Sequence, residues 1–200
     1  MLNGRLSKFS LKKRIGLLGG SFNPPHQGHI HISKLAIKYL KLDLVWWLIS
    51  PQNPLKSVSG MAPFCERIRK ARRISNPLPI VVTDIERNFC TNYTVDTIKI
   101  VQNDFKGVRF VWLMGADNLI QINQWKHWEE IFRSIPIAVL DRPPYANKAE
   151  ASIASRQFSR NRIAPYLSNK LINRKPPVWV YLKIPINRIS GTLIRGKVRI

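Results

Sequence analysis

Acidic residues are scarce in this sequence. There are 11 Asp and Glu residues against 33 Lys and Arg residues, which gives a formal net charge of +22. No DxD motif occurs, and so few carboxylates argue against a two-metal site built from protein side chains. The positive charge is uneven, since the chain from Arg142 onward holds 13 basic residues and one acid, Glu150. This imbalance points to an anionic partner, either nucleic acid or a phosphorylated small molecule, or else to compositional bias on a solvated surface.

Long apolar runs are missing as well. The longest, Leu44–Ile49, has the length of a strand, far short of the roughly 20 residues that cross a bilayer. Residues 1–13 are basic and contain no signal-peptide core, so they predict a flexible tail in front of a single domain over residues 14–200. The two cysteines, Cys65 and Cys90, are not needed as a disulfide in so large a core. We therefore expect a cytoplasmic protein with no membrane partner.

Short β-branched runs alternate with amphipathic stretches along the chain. Because the strands are almost continuously apolar, the pattern predicts an α/β fold: a Rossmann-like, doubly wound parallel sheet with helices on both faces. The segment 118–133 is predicted to be mostly helical, and residues 142–175 to be largely irregular with a helix near 149–157. The predicted strands cover residues 14–19, 44–49, 79–84, 108–113, 136–140 and 178–182.

The familiar nucleotide-binding loops are absent: neither GxGxxG nor GKS/GKT spacing occurs. Instead the first strand runs into GGSFNPPHQGHIH, Gly19–His31. Taken by itself this stretch fits a phosphate cradle, a metal site or a tight turn. His26 and His29 are three residues apart and share one face of a starting helix. No third ligand lies nearby, which disfavours zinc, and His31 is assigned a structural role, so phosphate binding at the helix N-terminus is favoured.

Two motifs carry a family resemblance. GGSFNPPHQGH resembles the (T/S)FxPxHxGH signature of the nucleotidyltransferase superfamily, with HxGH at residues 26–29. Near the C-terminus, ISGTLIR at residues 189–195 resembles the superfamily element ISSTxIR. Over about residues 14–195 the chain is similar to nicotinate-nucleotide adenylyltransferases in particular. The segments that carry this narrower match are NPLK (53–56), NYTVDTI (92–98), MGADNL (114–119), Trp125 and DRPPY (141–145).

The resemblance implies adenylyl transfer from ATP to nicotinate mononucleotide, which yields nicotinate adenine dinucleotide and pyrophosphate in NAD biosynthesis. It implies catalytic roles for His26 and His29. The ATP and phosphate contacts it implies are Gly19, Gly20, Ser21, Phe22, Gly28, Gly115, Asp117, Ser190, Thr192 and Arg195. The nicotinate mononucleotide contacts it implies are Lys56, Tyr93, Thr94, Trp125 and Arg142. No protein metal site is expected, and Mg²⁺ is expected to arrive with ATP.

Each implied contact also has a purely structural interpretation. Trp125 could belong to the core, Thr94 and Asp117 could cap helices, and Lys56 and Arg142 could be solvated surface charges. Gly191 replaces a serine of the family motif, and the chain ends at Ile200 where the family continues through further helices. We therefore expect weakened ATP-phosphate binding. An adenylyltransferase for another phosphate acceptor such as phosphopantetheine, a basic nucleic-acid-binding module, and a weakened remnant on the same fold remain as alternatives.

Overall fold

The computed structural model describes residues 13–52, 60–141 and 144–185. Seven strands lie in these ranges: β1 (Arg14–Gly20), β2 (Leu44–Ile49), β3 (Ile80–Thr83), β4 (Arg109–Gly115), β5 (Ile137–Leu140), β6 (Arg162–Ile163) and β7 (Trp179–Leu182). The α-helices are α1 (Gln27–Leu40), α2 (Phe64–Ser75), α3 (Ile85–Asn88), α4 (Thr94–Asp104), α5 (Ala116–Gln121), α6 (Trp128–Ser134), α7 (Ala146–Glu150) and α8 (Ile153–Gln157). Three 3₁₀ segments span Ile122–Gln124, Ser159–Asn161 and Pro165–Asn173.

The seven strands form one sheet in the order β3-β2-β1-β4-β5-β7-β6. Every neighbouring pair is parallel, which confirms the predicted Rossmann-like, doubly wound sheet. The chain winds outward from β1 through β2 and β3, and then returns to β4 on the other side of β1. The order therefore reverses between β1 and β4, and ligands of such sheets bind beyond the carboxyl ends of the strands at this reversal.

Two apolar cores lie on opposite faces of the sheet. On one face α1, α2 and the 3₁₀ helix Pro165–Asn173 pack against Trp47 and its neighbours. On the other face α4 to α8 pack against Trp46 and Trp112. Both tryptophans of β2 are completely buried, because successive side chains of a strand point to opposite faces and both faces are covered. No helix of the described ranges is long and apolar enough to span a membrane.

The segment 118–133 is mostly helical, as predicted, but it is interrupted. It divides into α5, the 3₁₀ turn Ile122–Gln124 and α6. The helix stops because Trp125 has an extended backbone and His127 a left-handed one, with φ 49°. This break sends the two tryptophans of the segment, Trp125 and Trp128, to different surroundings.

Residues 144–175 are more regular than the sequence predicts. The predicted helix near 149–157 divides into α7 and α8, because the Ser152 hydroxyl caps α8 by accepting the Ser155 N–H at 3.3 Å. The 3₁₀ helix Pro165–Asn173 buries Leu171 and Ile172 against the α1 face of the sheet. Cys65 and Cys90 are both free and exposed, as expected.

Candidate active site

The HxGH loop joins β1 to α1 at the reversal point of the sheet. Gly19 and Gly20 are the last residues of β1. A Cβ at Gly19 would lie 2.8 Å from the Trp112 ring, and one at Gly20 would lie 3.3 Å from the Phe22 ring. Glycine at position 19 therefore permits Trp112 to pack under the strand end, which brings the backbone of the loop close to the core.

His26 and His29 form a reciprocal cap on α1. The Nδ1 atom of His26 accepts the Gly28 N–H at 3.1 Å, and the Nδ1 atom of His29 accepts the His26 N–H at 3.2 Å. The ring centroids lie 3.9 Å apart. Because both Nδ1 atoms accept, each neutral ring carries its proton on Nε2. The cap thus sets the tautomer in which both imidazoles are Nε2–H donors, as the binding of phosphate oxygens requires.

Phe22 supports this pair from the protein interior. Its ring is buried and lies 4.4 Å from the His29 ring and 4.9 Å from the Trp47 ring, centroid to centroid. The backbone reaches this position with a left-handed φ of 47°, a conformation that is uncommon outside glycine and often found at functional sites. The aromatic wall restricts the orientation of His29 without using its nitrogen atoms.

Two other residues of the loop also have defined surroundings. Gly28 is buried, and its N–H is engaged by His26 in the cap. The Ser21 hydroxyl is buried and has no hydrogen-bond partner among the residues that the structure describes. An unsatisfied buried hydroxyl is costly, so Ser21 provides a polar group that a phosphate oxygen can satisfy.

The sequence analysis missed Arg67, which holds this end of the sheet together. Only 2% of its surface is exposed, and its guanidinium donates to four backbone carbonyls. The acceptors are the carbonyl oxygens of Ser21 at 2.6 Å, Ser50 at 2.7 Å, Pro51 at 2.8 Å and Ala62 at 3.1 Å. Burial lowers the pKa of Arg67. Arg67, Ala71 and Ser75 are spaced four residues apart, so they lie on one face of α2. This spacing is the one sequence signal that Arg67 faces inward.

Asp117 lies in the first turn of α5, directly after β4. A Cβ at Gly115 would overlap the Asp117 carboxylate, so the glycine is needed for this position of the acid. Because β4 is the neighbour of β1, Asp117 and the histidine loop occupy the carboxyl ends of adjacent strands. Both therefore lie at the edge of the sheet where ligands of such folds bind.

Tyr93 and Thr94 begin α4, which supplies the next part of the site. Tyr93 donates its N–H to the Thr91 hydroxyl at 3.3 Å. The N–H groups of Thr94 and Val95 have no acceptor in the described part of the chain. Helix N-termini of this type attract carboxylates. The start of α4 therefore offers a backbone N–H donor at Thr94.

Trp125 lies close to the start of α4. The next residue, Lys126, has its Nζ atom 4.4 Å from the centroid of the Tyr93 ring and 3.6 Å from Asp96 Oδ2. Trp125 and Trp128 are both half-buried and pack against this core, and Trp128 also makes edge-to-face contacts with Phe132 and Phe158. These ring contacts give Trp128 a packing role, and the contacts of Lys126 bring the segment that holds Trp125 next to the start of α4.

A second buried charge that the sequence analysis missed is Glu86, on α3. It is 6% exposed, and its Oε1 atom accepts the Thr97 hydroxyl at 3.3 Å. Burial raises the pKa of Glu86 to about 7, and hydrogen bonds from the Ser50 and Thr97 side chains limit the rise. Its Oε2 atom has no partner among the described residues.

Not every predicted contact is located. Lys56, Arg142, Ser190, Thr192 and Arg195 lie outside the described residues. His31 lies within them, and its Nε2 atom hydrogen-bonds with the Pro185 carbonyl at 2.9 Å, in line with the structural role expected for it. No three His, Cys, Asp or Glu side chains within the described ranges come together as a metal site would require.

Comparison with known proteins gives consistent results. The Cytidylyltransferase-like family matches residues 17–197. A probable nicotinate-nucleotide adenylyltransferase from Caulobacter sp. (strain K31) is 44% identical over 92% of this chain and 97% of the relative. A protein of the same description from Bradyrhizobium sp. (strain ORS 278) is 47% identical over 92% of this chain and 95% of the relative.

A solved structure shares the fold. The nicotinic acid mononucleotide adenylyltransferase of Plasmodium falciparum, in complex with NaAD, superposes with a TM-score of 0.67. The superposition covers 92% of this chain and 83% of that one at 19% identity. This agreement shows the shared fold, and the sequence relatives establish the family. The chain belongs to the nicotinate-nucleotide adenylyltransferases, a nucleotidyltransferase family of NAD biosynthesis.

Proposed function

We propose that this protein transfers the adenylyl group of ATP to nicotinate mononucleotide. A phosphate oxygen of nicotinate mononucleotide attacks the α-phosphorus of ATP, and the bond from that phosphorus to the bridging oxygen of pyrophosphate breaks. The products are nicotinate adenine dinucleotide and pyrophosphate. The attacking phosphate is already an anion, so the reaction needs no protein base and no covalent enzyme intermediate. Catalysis then consists of positioning the two substrates and stabilising charge on the reacting phosphate.

The observation that carries the proposal is the reciprocal cap of His26 and His29. Both Nδ1 atoms are occupied by backbone N–H groups, so both Nε2 atoms are donors. At the start of α1 these donors act together with the partial positive charge of the helix N-terminus. In our proposal they bind the phosphate oxygens of ATP on which negative charge accumulates in the transition state.

The remaining ATP contacts are proposed for the ends of β1 and β4. The backbone of residues 19–22 and the Ser21 hydroxyl line the phosphate path, with the buried Gly28 in the first turn of α1. Asp117, held against Gly115, accepts hydrogen bonds from ribose hydroxyls. Ser190, Thr192 and Arg195 complete the triphosphate contacts on the basis of family resemblance alone.

The pyridine substrate is proposed to bind between α4 and Trp125. The Thr94 N–H donates to the nicotinate carboxylate, Tyr93 borders the site, and the Trp125 ring stacks on the pyridine. Lys56 and Arg142 are assigned to the mononucleotide on the basis of resemblance alone. The support from the structure is the contact of Lys126, the residue after Trp125, with Tyr93 and Asp96 at the start of α4.

ATP enters this scheme as its Mg²⁺ complex, so the cation is part of the substrate. In this proposal the imidazoles and backbone amides of the histidine loop bind phosphate oxygens, and the cation stays with ATP. Mg²⁺ also keeps several waters when it binds through phosphates. The exposed, unpaired Cys65 and Cys90 suit a reducing compartment, and we propose the cytoplasm.

The decisive assay measures pyrophosphate release from Mg·ATP and nicotinate mononucleotide by purified protein. We expect turnover with this acceptor and little with 4′-phosphopantetheine. Turnover with phosphopantetheine alone would overturn the substrate assignment. Turnover with neither, together with tight and steeply salt-dependent RNA or DNA binding, would instead favour the nucleic-acid module.

A further inference from the structure

The buried acid Glu86 is connected to the proposed pyridine site through a single hydroxyl group. Its Oε1 atom lies 3.3 Å from Thr97 Oγ1, which lies 3.1 Å from the Tyr93 carbonyl oxygen. That carbonyl and the Thr94 N–H are the two ends of one peptide group. The N–H proposed to bind the nicotinate carboxylate is therefore on the same peptide that Thr97 contacts.

The Thr97 hydroxyl carries one hydrogen but faces two acceptors. When Glu86 is ionised, the carboxylate competes with the Tyr93 carbonyl for this hydrogen. When Glu86 is protonated, it can donate to Thr97 Oγ1, and Thr97 can donate to Tyr93. Only the protonated acid satisfies both contacts. The Tyr93 carbonyl already accepts the Asp96 and Thr97 N–H groups, and a further donation from the Thr97 hydroxyl adds to the polarisation of the peptide, so that the Thr94 N–H becomes a stronger donor.

The charged groups around Glu86 have partners of their own. On α3, Asp84 accepts from Asn88, and Arg87 lies against Phe64 and Cys65. On α2, Glu66 pairs with Lys70, and Arg67 donates to backbone carbonyls, that of Ser50 among them. On α4, Asp96 pairs with Lys126, which also covers the Tyr93 ring, and Lys99 pairs with Glu130. β2 carries no charged residue, and Ser50, which follows it, is uncharged. Among the described residues no cation forms an ion pair with Glu86.

We propose that Glu86 is a specificity-determining residue that couples its own protonation to the charge of the pyridine substituent. Neutral Glu86 favours binding of the negatively charged nicotinate carboxylate at the Thr94 N–H. Ionised Glu86 weakens this binding by like-charge repulsion and by drawing the Thr97 hydroxyl away from the Tyr93 carbonyl. An uncharged carboxamide at the same position is affected little. This inference rests on the proposed binding of nicotinate mononucleotide at α4. The like-charge repulsion and the withdrawal of the Thr97 hydroxyl both weaken binding of the substrate carboxylate. Selectivity for nicotinate mononucleotide over nicotinamide mononucleotide therefore falls as Glu86 ionises.

The buried position of Glu86 places this change near neutrality, because burial raises its pKa to about 7. The experiment measures kcat/KM for nicotinate mononucleotide and for nicotinamide mononucleotide at each pH from 6 to 8.5. The ratio of the two values is the readout. Titration of the histidines, of ATP and of the substrate phosphate affects both substrates alike and cancels in the ratio.

We expect the ratio for the unaltered protein to fall about tenfold across this range, in keeping with the effect of a like charge near a bound anion. Glu86→Gln, a permanently uncharged isostere, is expected to show a ratio that does not change with pH. Glu150→Gln, at an exposed acid that pairs with Arg162, is the matched control and should follow the unaltered protein. A flat ratio in the unaltered protein, or an unchanged decline in Glu86→Gln, overturns the inference.

Thr97 variants test the same link if Glu86→Gln does not fold. Thr97→Val removes the hydroxyl that stabilises ionised Glu86, so the midpoint of the decline of the kcat/KM ratio should move to higher pH. Thr97→Ser keeps the hydroxyl and should leave this midpoint unchanged. Identical midpoints of this decline in the unaltered protein, Thr97→Val and Thr97→Ser would contradict the proposal. Failure of the proposed function is a separate outcome, since the unaltered protein would then turn over neither mononucleotide at any pH.

Discussion

The indole N–H of Trp47 donates a 2.8 Å hydrogen bond to the hydroxyl of Ser33. Ser33 is completely buried and donates in turn to the His29 carbonyl at 2.8 Å. One turn of α1 thereby connects the centre of β2 with the proposed catalytic histidine. The rings of Trp47, Phe22 and His29 are packed together as well, so His29 is held both through its backbone and through its ring.

Ser33→Ala tests this connection. The variant leaves the Trp47 N–H buried without its acceptor, which costs about 1–3 kcal/mol. We expect urea denaturation to show a loss of unfolding free energy in that range. Ser159→Ala, at an exposed position, is the control and should change stability by less than about 0.5 kcal/mol. Equal stability of the two variants would mean that the Trp47–Ser33 bond contributes little.

His29 variants separate the two ring nitrogens. His29→Ala should lower kcat by about 100-fold or more while the fold is retained, because a transition-state donor is lost. His29→Gln can place an amide N–H near the position of Nε2, whereas His29→Asn reproduces only the Nδ1 position. We therefore expect Gln to retain more activity than Asn, as measured by single-turnover pyrophosphate release. The opposite order would contradict the assigned tautomer.

Trp125 and Trp128 form a matched pair in one segment. Trp125→Ala should raise KM for nicotinate mononucleotide about tenfold or more with little change in KM for ATP, since a stacking surface worth roughly 1–3 kcal/mol is removed. Trp128→Ala should instead lower stability by about 3 kcal/mol through loss of core packing. Steady-state kinetics and thermal unfolding of both variants distinguish the roles. An unchanged KM in Trp125→Ala would assign that ring to the core.

Gly115 and Asp117 are predicted to act as a unit. Gly115→Ala forces the Asp117 carboxylate out of its position, and Asp117→Asn removes its charge, so each should raise KM for ATP about tenfold or more. The double variant should be little worse than either single variant, because both disturb one interaction. Additive losses in a double-mutant cycle would show that the two residues act independently.

Glu86 also makes stability depend on pH. Its folded pKa of about 7 lies above the ordinary value of 4.5, so the native protein binds this proton more tightly than the unfolded chain. The unfolding free energy therefore falls as the pH rises from about 4.5 to 7, and the full loss persists above that range. Relative to Glu86→Gln, we expect a loss of roughly 2–3 kcal/mol between pH 5 and pH 8, measured by denaturant titration. Parallel curves for the two proteins would show that Glu86 ionises normally.

Several elements of the fold could be predicted from local sequence. The six predicted strands were found within a few residues of their positions, because a buried parallel strand needs an unbroken apolar run and the chain has few others. The helix break at Trp125–His127 could not be predicted, since it depends on where two large rings find space. Strand β6 and the helix Pro165–Asn173 were missed because neither has an apolar pattern long enough to detect.

The HxGH motif, taken from the sequence alone, determined where the proposed phosphate site lies, because its loop must follow the first strand of a parallel sheet. Only the tertiary structure showed that Arg67 and Glu86 are buried. In sequence, Arg67 is one more cation on a basic helix, and Glu86 is an acid beside a strand. Burying such a charge is costly unless polar groups compensate. Those groups come together only when the chain folds. Arg67 then meets the carbonyls of Ser21, Ser50, Pro51 and Ala62, and Glu86 meets the side chains of Ser50 and Thr97.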